Sequence, residues 1–427
     1  MTQTQKPTTD TVLVIGAGMA GIEASLTLAA AGEDVCLVER APLFGGQVIK
    51  CEEVFADMEC STCMAAPKQQ DVLQNERINL MTLTEVSEVR GEAGDFTVTL
   101  AKRARYVDPD ACIGCNACFD PCPVTVPNEF EEGLGERKAV YVSCPGALPN
   151  VPMIDTEHCV RFAGEECTLC QEACVFEAID YDQRDEEIEI HVSAIIVATG
   201  FELLGLGELP DVEYDPSGSV YSALELERLY ASNGPTEGEL VLRNGEAPTS
   251  AAIVHCAGRE QVGYCSAVCC MIGLKFVHYL KDKLPDIEIH ELVTDLCIPG
   301  KSYQPFYEKT EHEVTLTRYR SLSVAQRNGS ASISYETPSG KSETLDVDMV
   351  VISPPLIAAE GTAELAEKLG IAVGESGFYE SAPATRSGIE SGREGIYVVG
   401  CGQGPKDIAR SVTQANAAVG RLLAAGR

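Results

Sequence analysis

Thr11-Val-Leu-Val-Ile-Gly16-Ala-Gly18-Met-Ala-Gly21, continued by Ile22 to Ala31 and closed by Val35-Cys-Leu-Val-Glu39, decides the fold of this chain. Thr11 to Ile15 is apolar and partly β-branched, which predicts a strand. The three glycines then predict a tight turn, and the spacing of apolar residues from Ile22 to Ala31 predicts a helix. Val35 to Val38 predicts a second strand ending in an acid. In a dinucleotide-binding βαβ unit the first glycine makes the turn, the second admits a pyrophosphate to the backbone, and the third lets helix and strand pack closely. Gly16, Gly18 and Gly21 fill these places, and Glu39, 18 residues beyond Gly21, is the expected ribose-binding acid.

Moving outward, Arg40-Ala-Pro-Leu-Phe-Gly45-Gly46-Gln47 resembles the FAD-binding variant of this unit, with Arg40, Gly46 and Gln47 in reach of the nucleotide. Val192 to Val197 predicts a buried strand ending at Thr199-Gly200, the turn of flavoproteins with two dinucleotide domains. Gly395 to Gly400 predicts a strand returning to the flavin ahead of a C-terminal helix. The FAD-binding domain is therefore expected in three pieces, 8–103, 183–215 and 374–427. Residues 104–182, rich in cysteine, proline and acid, read as an inserted module. Residues 216–373 return to α/β character, with a helix expected from about Ala267 to Leu280, and read as a second dinucleotide-type domain. The expected fold class is α/β, a two-dinucleotide-domain flavoprotein with an inserted α+β ferredoxin domain carrying two clusters.

The insert holds Cys112-Ile-Gly-Cys115-Asn-Ala-Cys118-Phe-Asp-Pro-Cys122-Pro123, the bacterial ferredoxin spacing. A second copy runs Cys159, Cys167, Cys170, Cys174, with seven residues between its first two cysteines. In two-cluster ferredoxins the fourth cysteine of each run serves the other cluster. One [4Fe-4S] cluster is thus assigned to Cys112, Cys115, Cys118 and Cys174, the other to Cys159, Cys167, Cys170 and Cys122. A zinc ribbon is the alternative, but zinc sites use two pairs of ligands rather than two interlocking sets of four. A third set, Cys256, Cys265, Cys269 and Cys270, follows the first strand of the second domain, where an NAD-binding protein would carry its glycine loop; no GxGxxG is found there. A third cluster is expected in its place.

Composition bounds the rest. The 427 residues carry a net charge of −33, which argues against nucleic acid and anionic membranes as partners. Nineteen cysteines in a reducing compartment indicate metal ligands or redox thiols rather than disulfides. Residues 1–10 are polar without an apolar core or basic flank, so no secretory signal is expected, no transmembrane segment is legible, and the expected location is the cytoplasm. Cys60 and Cys63 read equally as a redox dithiol, as ligands of a further cluster with Cys51 and Cys297 or Cys401, or as pocket lining. Cys36 reads as packing and Cys144 has no assigned role. The six histidines read as surface or satisfied residues, and Asp185-Glu186-Glu187 as solvated charge.

Taken in order, GAGMAG, Cys60-Ser-Thr-Cys63 before Ala66-Pro67-Lys68, Tyr106-Val-Asp108, the ferredoxin run, Val126 to Phe130, Glu132-Gly-Leu-Gly135, Cys265-x3-Cys269-Cys270 and Gln403-Gly-Pro-Lys-Asp-Ile408 resemble the A-type chain of heterodisulfide reductase (HdrA) and its relatives. The resemblance spans nearly the whole chain from Thr11, in a form expected to be short of the archaeal N-terminal and C-terminal domains. It implies a thioredoxin-reductase-like core with FAD, the ferredoxin insert, and a further cluster beside the flavin, three clusters in all. It places Lys275 near the isoalloxazine, and Gln403, Gly404, Lys406, Asp407 and Ile408 toward the flavin's pyrimidine end, with Gly400 a cofactor-binding residue at the end of the strand that returns to the flavin. It also implies an oxidoreductase component that interconverts two-electron and one-electron transfer, with electron bifurcation or confurcation among the family's capacities. The implied partners are other subunits that carry the substrate site, an electron donor or acceptor protein, and a second copy of the chain. The competing reading is a stand-alone NAD(P)H-dependent flavin disulfide reductase using Cys60 and Cys63. A third reading is an iron-sulfur scaffold with a structural flavin.

Overall fold

The computed structural model of the chain describes residues 11–327, 329–382 and 388–425. The polar opening segment 1–10, including the start of the first expected domain piece, and the last two residues of the third lie outside the described residues.

The opening stretch forms the strand Thr11–Ile15, the helix Met19–Ala31 and the strand Asp34–Val38. With Ile78–Met81, Ala194–Val197 and Ile396–Val398 these strands make one five-stranded parallel sheet. Thr11–Ile15 lies at its centre, between Ala194–Val197 and Asp34–Val38. Because successive side chains alternate between faces, Val12 and Val14 pack with Ile22 and Leu28 of the helix, while Leu13 and Ile15 pack with Val98 and Leu100. The latter two belong to a three-stranded antiparallel layer, Thr84–Glu92, Asp95–Lys102 and Glu186–Val192. Both faces of the parallel sheet are thereby covered, which is why its strands are apolar throughout.

Two glycines make the first turn possible. Gly16 has φ +96°, and a Cβ there would stand 2.5 Å from the Ala198 carbonyl oxygen. A Cβ on Gly21 would stand 1.8 Å from the Gly16 carbonyl oxygen, so the helix can start at this turn only with glycine in that place.

A second parallel sheet has the strand order Val220–Ser222, Met349–Ile352, Ser250–Val254, Glu288–Val293, Thr315–Arg318. The helix Cys269–Lys283 covers one of its faces through Phe276, Val277 and Leu280. An antiparallel pairing of Phe201–Leu203 with Leu356–Ala358 ties the chain leaving the first sheet to the chain leaving the second.

Two local expectations are corrected. The strand expected at Val192 to Val197 is broken at Ser193: Glu186–Val192 ends in the antiparallel layer and Ala194–Val197 starts in the parallel sheet. Ser193 supplies the corner, its carbonyl accepting from Gly94 N at 2.8 Å. The helix expected from about Ala267 starts at Cys269 and runs on to Lys283, because Ala267 takes φ +59° and cannot continue it backward.

The cysteine-rich stretch forms a small unit of short strands and one five-residue helix, Leu169–Ala173. Its core is little more than Val107, Val140, Ile154, Ile179 and Tyr181 around Cys118 and Cys170. So few apolar side chains supply little burial, and thiolate-metal bonds are the usual substitute in a unit of this size.

Candidate functional site

At the end of the first strand the residues expected to hold a nucleotide converge. The Gly18 and Gly45 backbones bridge in parallel, and a Cβ on Gly46 would stand 2.8 Å from Gly18 Cα. Glu39 turns its carboxylate into this loop, accepting from Ala17 N at 2.8 Å and Ala41 N at 3.0 Å. Burial raises its pKa, and those amide donors oppose the rise. Gln47 Oε1 is buried with no hydrogen-bond partner. Backbone cradles only glycine can form, a buried acid and an orphaned side-chain acceptor fit a dinucleotide at this place. Arg40 lies at the rim, its guanidinium 2.7 Å from Glu202. Thr199 and Gly200 follow the neighbouring strand, with Thr199 Cα 3.1 Å from the place a Gly16 Cβ would take.

From the far strand, Gly400–Gln403 forms a single 3-10 turn. Lys406 Nζ closes the loop on the carbonyls of Gly400 and Gly404 at 2.6 and 2.7 Å. Asp407 Oδ1 accepts from Arg410 N at 2.8 Å and so caps the helix Ile408–Ala425. Tyr303 donates to the other Asp407 oxygen at 2.8 Å. Gln403 is held by Gln414, whose Nε2 donates to its Oε1 at 2.5 Å.

Lys275 is buried in the helix Cys269–Lys283. Its ammonium donates to the Glu53 carbonyl at 2.9 Å and pairs with Glu227, itself buried. Burial would lower the Lys275 pKa, but the charge of Glu227 leaves it above the usual range. Tyr279 donates to Glu227 Oε2 at 3.2 Å. Cys51 lies beside this pair, and burial followed by the Glu227 charge pushes its thiol up to about 12. Glu227 carries no mark in the sequence that separates it from the other acids of its helix, Ala223–Tyr230. The capping box there draws attention to Glu225 instead.

The insert sorts its cysteines into two cavities. One is lined by Cys112, Cys115, Cys118 and Cys174, the other by Cys122, Cys159, Cys167 and Cys170. Cys122 and Cys174 each stand with the other run's cysteines, the crossing that two-cluster ferredoxin spacing requires. Burial pushes the Cys118 thiol up to about 12, and burial raises Cys170 with the nearby Cys159, Cys122 and Cys167 adding to it. Sulfurs crowded in fours at this spacing fit inorganic iron-sulfur cores. Ile113, Val175 and Phe176, in and around the first cavity's wall, are large apolar side chains left exposed.

The third set assembles beyond the strand Ser250–Val254. Cys256 takes φ +63°, a left-handed turn at the end of this strand comparable to that of Gly16 in the first sheet. Cys269 and Cys270, both buried, stand with His255 in a group whose ligand atoms lie within 4.8 Å of one another. A hydrogen bond from Cys269 lowers the pKa of Cys270 and raises its own. The Asp295 carbonyl meets both Cys256 Sγ, at 4.0 Å, and Cys270 Sγ, at 3.8 Å. His255 is the histidine that departs from the sequence reading. It is fully buried, with Nε2 on Glu291 Oε1 at 2.7 Å and Nδ1 without a partner. A Cβ on Gly273 would stand 2.2 Å from its ring, so glycine there lets the imidazole in. The sequence could have shown this through His255 adjoining Cys256.

Cys60 and Cys63 are exposed at the start of the helix Ser61–Gln74, where Cys63 N donates to Cys60 Sγ at 3.2 Å. Cys297 stands instead with Cys265 and Cys270, and Cys401 donates to the Lys406 carbonyl at 3.2 Å. Neither joins Cys60 and Cys63. Cys36 is buried in its strand, and Cys144 packs with Phe130 and Ala147. Among the described residues no helix is long and apolar enough to cross a membrane.

The FAD dependent oxidoreductase profile matches residues 11–107 and the 4Fe-4S binding domain profile residues 105–126. The chain is 38% identical over 422 residues to the A-type chain of the H(2):CoB-CoM heterodisulfide,ferredoxin reductase of Methanothermobacter thermautotrophicus, covering 96% of this chain and 63% of that protein. It is 38% identical over 431 residues to an A-type iron-sulfur chain of the CoB--CoM heterodisulfide reductase of Methanopyrus kandleri, covering 98% and 65%. The chain thus spans somewhat less than two thirds of the length of these relatives. Among solved structures, the T. acidophilum thioredoxin reductase matches with TM-score 0.55 at 12% identity, covering 98% of this chain and 99% of that one. At that identity the likeness shows a shared thioredoxin-reductase-like fold alone.

Proposed function

Because the chain belongs to the HdrA family of heterodisulfide reductase components, we propose that it is the flavin- and iron-sulfur-bearing electron-transfer member of a heterodisulfide-reductase-like complex. One FAD is held by Gly16, Gly18, Gly21, Glu39, Gly46 and Gln47. Two [4Fe-4S] clusters occupy the insert on the crossed cysteine sets, and a third occupies Cys256, Cys265, Cys269 and Cys270. When bound, a flavin takes up or gives off electrons in pairs or singly, and a four-iron cluster does so one at a time.

The observation that carries this reading is one helix. Cys269–Lys283 presents Cys269 and Cys270 at its start and the buried Lys275 five residues after Cys270. A single rigid element thereby positions thiol ligands and a lysine that reaches back to Glu53, in the first domain's loop. Lys275 places a cation in a water-poor setting, where a charge acts more strongly than at the surface, and Glu227 fixes its position while offsetting part of that charge. Ile408–Ala425 turns its N-terminus toward the same loop system, adding a partial positive charge there. Ile113, Val175 and Phe176 form the exposed surface that this reading assigns to electron exchange with a partner protein. The NAD(P)H-dependent alternative finds less support, because His255 and Cys256 stand where a second glycine loop would be.

Metal and flavin counting on anaerobically reconstituted chain tests the proposal. One FAD and about twelve iron atoms per chain are expected. About eight iron atoms would remove the third cluster, and zinc in place of iron would overturn the scheme.

A further inference from the structure

Five thiols, not four, converge on the third centre. Cys297 follows the strand Glu288–Val293 in a loop whose Asp295 is gripped by Arg259 at 3.3 Å and Arg318 at 3.5 Å. The same loop offers the Asp295 carbonyl to Cys256 and Cys270, and the Cys297 amide donates to Cys270 Sγ at 3.3 Å. The Cys297 side chain lies within hydrogen-bond reach of Cys265. The buried His255, its Nδ1 without a partner, stands with Cys269 and Cys270, their ligand atoms within 4.8 Å of one another. This place therefore holds more donors than a cubane needs, since a four-iron core takes one protein ligand per iron.

The four sequence-legible cysteines are not held alike. Cys269 and Cys270 are buried in the first turn of a long helix. Cys265 sits on the loop ahead of that helix, half-buried, its sulfur accepting from Ala267 N at 3.4 Å. It is the least constrained of the helix-side thiols, and Cys297 is its neighbour on an anchored loop.

We infer that Cys297 is a fifth thiol of the third centre, a spare iron ligand able to take the place of Cys265. The exchange is balanced: the iron bond to Cys265 sulfur breaks as the bond to Cys297 sulfur forms, and the Cys297 proton passes to Cys265. No electron is gained or lost. The inference rests on the third cluster proposed above.

The test uses the full chain reconstituted anaerobically with iron and sulfide, comparing wild type, Cys297→Ala, Cys265→Ala and the double variant. Iron content and the electron paramagnetic resonance spectrum of the reduced protein are read. Retention of one FAD and of the two insert clusters serves as the control for folding. Wild type and both single variants are expected to hold about twelve iron atoms, with an altered third-cluster signal in Cys265→Ala, and the double variant about eight. Cys265→Ala falling to about eight overturns the spare-ligand role, as does Cys297→Ala falling to about eight, which makes Cys297 an obligatory ligand. Wild type holding about eight overturns the third cluster itself and this inference with it. Cys265→Val, which also carries no ligand atom, is run in parallel and decides by the same counts if alanine costs the chain its FAD.

Discussion

Arg228 and Glu131 form an ion pair almost wholly out of water, 2.8 Å apart with side chains 1% and 7% exposed, across 97 residues of sequence. Arg228 also donates to the Lys50 carbonyl at 3.0 Å and to Asn233 at 3.0 Å. One guanidinium thus ties together the cysteine-rich insert, the loop after the flavin glycines and the second α/β domain. Arginine suits this because its planar fork meets several acceptors at once.

Removing one partner of such a pair leaves an uncompensated buried charge. Arg228→Ala is expected to destabilise the chain by about 3–5 kcal/mol, and Glu131→Gln by somewhat less. Urea unfolding followed by circular dichroism measures this. A loss under about 1 kcal/mol for Arg228→Ala would mean that the insert is held by something else.

The Lys275 and Glu227 pair obeys the same physics beside the proposed flavin. Lys275→Met and Glu227→Leu should each cost about 3–5 kcal/mol, whereas the double variant should cost much less than their sum. A double-mutant cycle on urea midpoints gives the coupling. Strictly additive losses would show that the two charges do not depend on each other.

Thiol chemistry separates three neighbouring cysteines. Only thiolates react readily, and burial holds Cys51 up to about 12, while Cys60 and Cys63 stand exposed. Brief iodoacetamide treatment of the folded, reconstituted chain at pH 8 should label exposed Cys60, label Cys63 more slowly because its hydrogen bond with Cys60 raises its pKa, and leave Cys51 unmodified, as read by peptide mass spectrometry. Early labelling of Cys51 would contradict its placement beside Glu227.

Asp348 gives a pH dependence of known sign. It accepts from Thr249 N and Thr249 Oγ1, both at 2.7 Å, and from Ser250 N at 3.1 Å. Partial burial works against these bonds, yet they hold its pKa below the usual value in the fold. A depressed carboxyl stabilises the fold above its unfolded pKa of about 3.9 and loses that contribution as pH falls through the lower folded value. Asp348→Asn should therefore cost about 1 kcal/mol from pH 5 to 8, with the deficit shrinking below about pH 3.9. Unfolding midpoints of the metal-free chain across this range provide the check, and a deficit that grew toward acid would refute the assignment.

Sequence determined what near neighbours encode. The βαβ turn is legible because a glycine is forced wherever backbone passes backbone within a few residues, as at Gly16 and Gly21. The ferredoxin runs are legible because a cubane takes its first three ligands from one short loop, so their spacing is written in the chain. Even the crossing of Cys122 and Cys174 follows from two such runs standing side by side. Tertiary structure alone decided that Glu227 pairs with Lys275, that Arg228 reaches Glu131, that His255 is buried against Glu291, and that Cys297 joins the third group of thiols rather than Cys60 and Cys63. Each of these joins residues carried on separate elements. A lone acid or cysteine has no local rule to mark it, and only the packing of two sheets and an insert brings it to its partner.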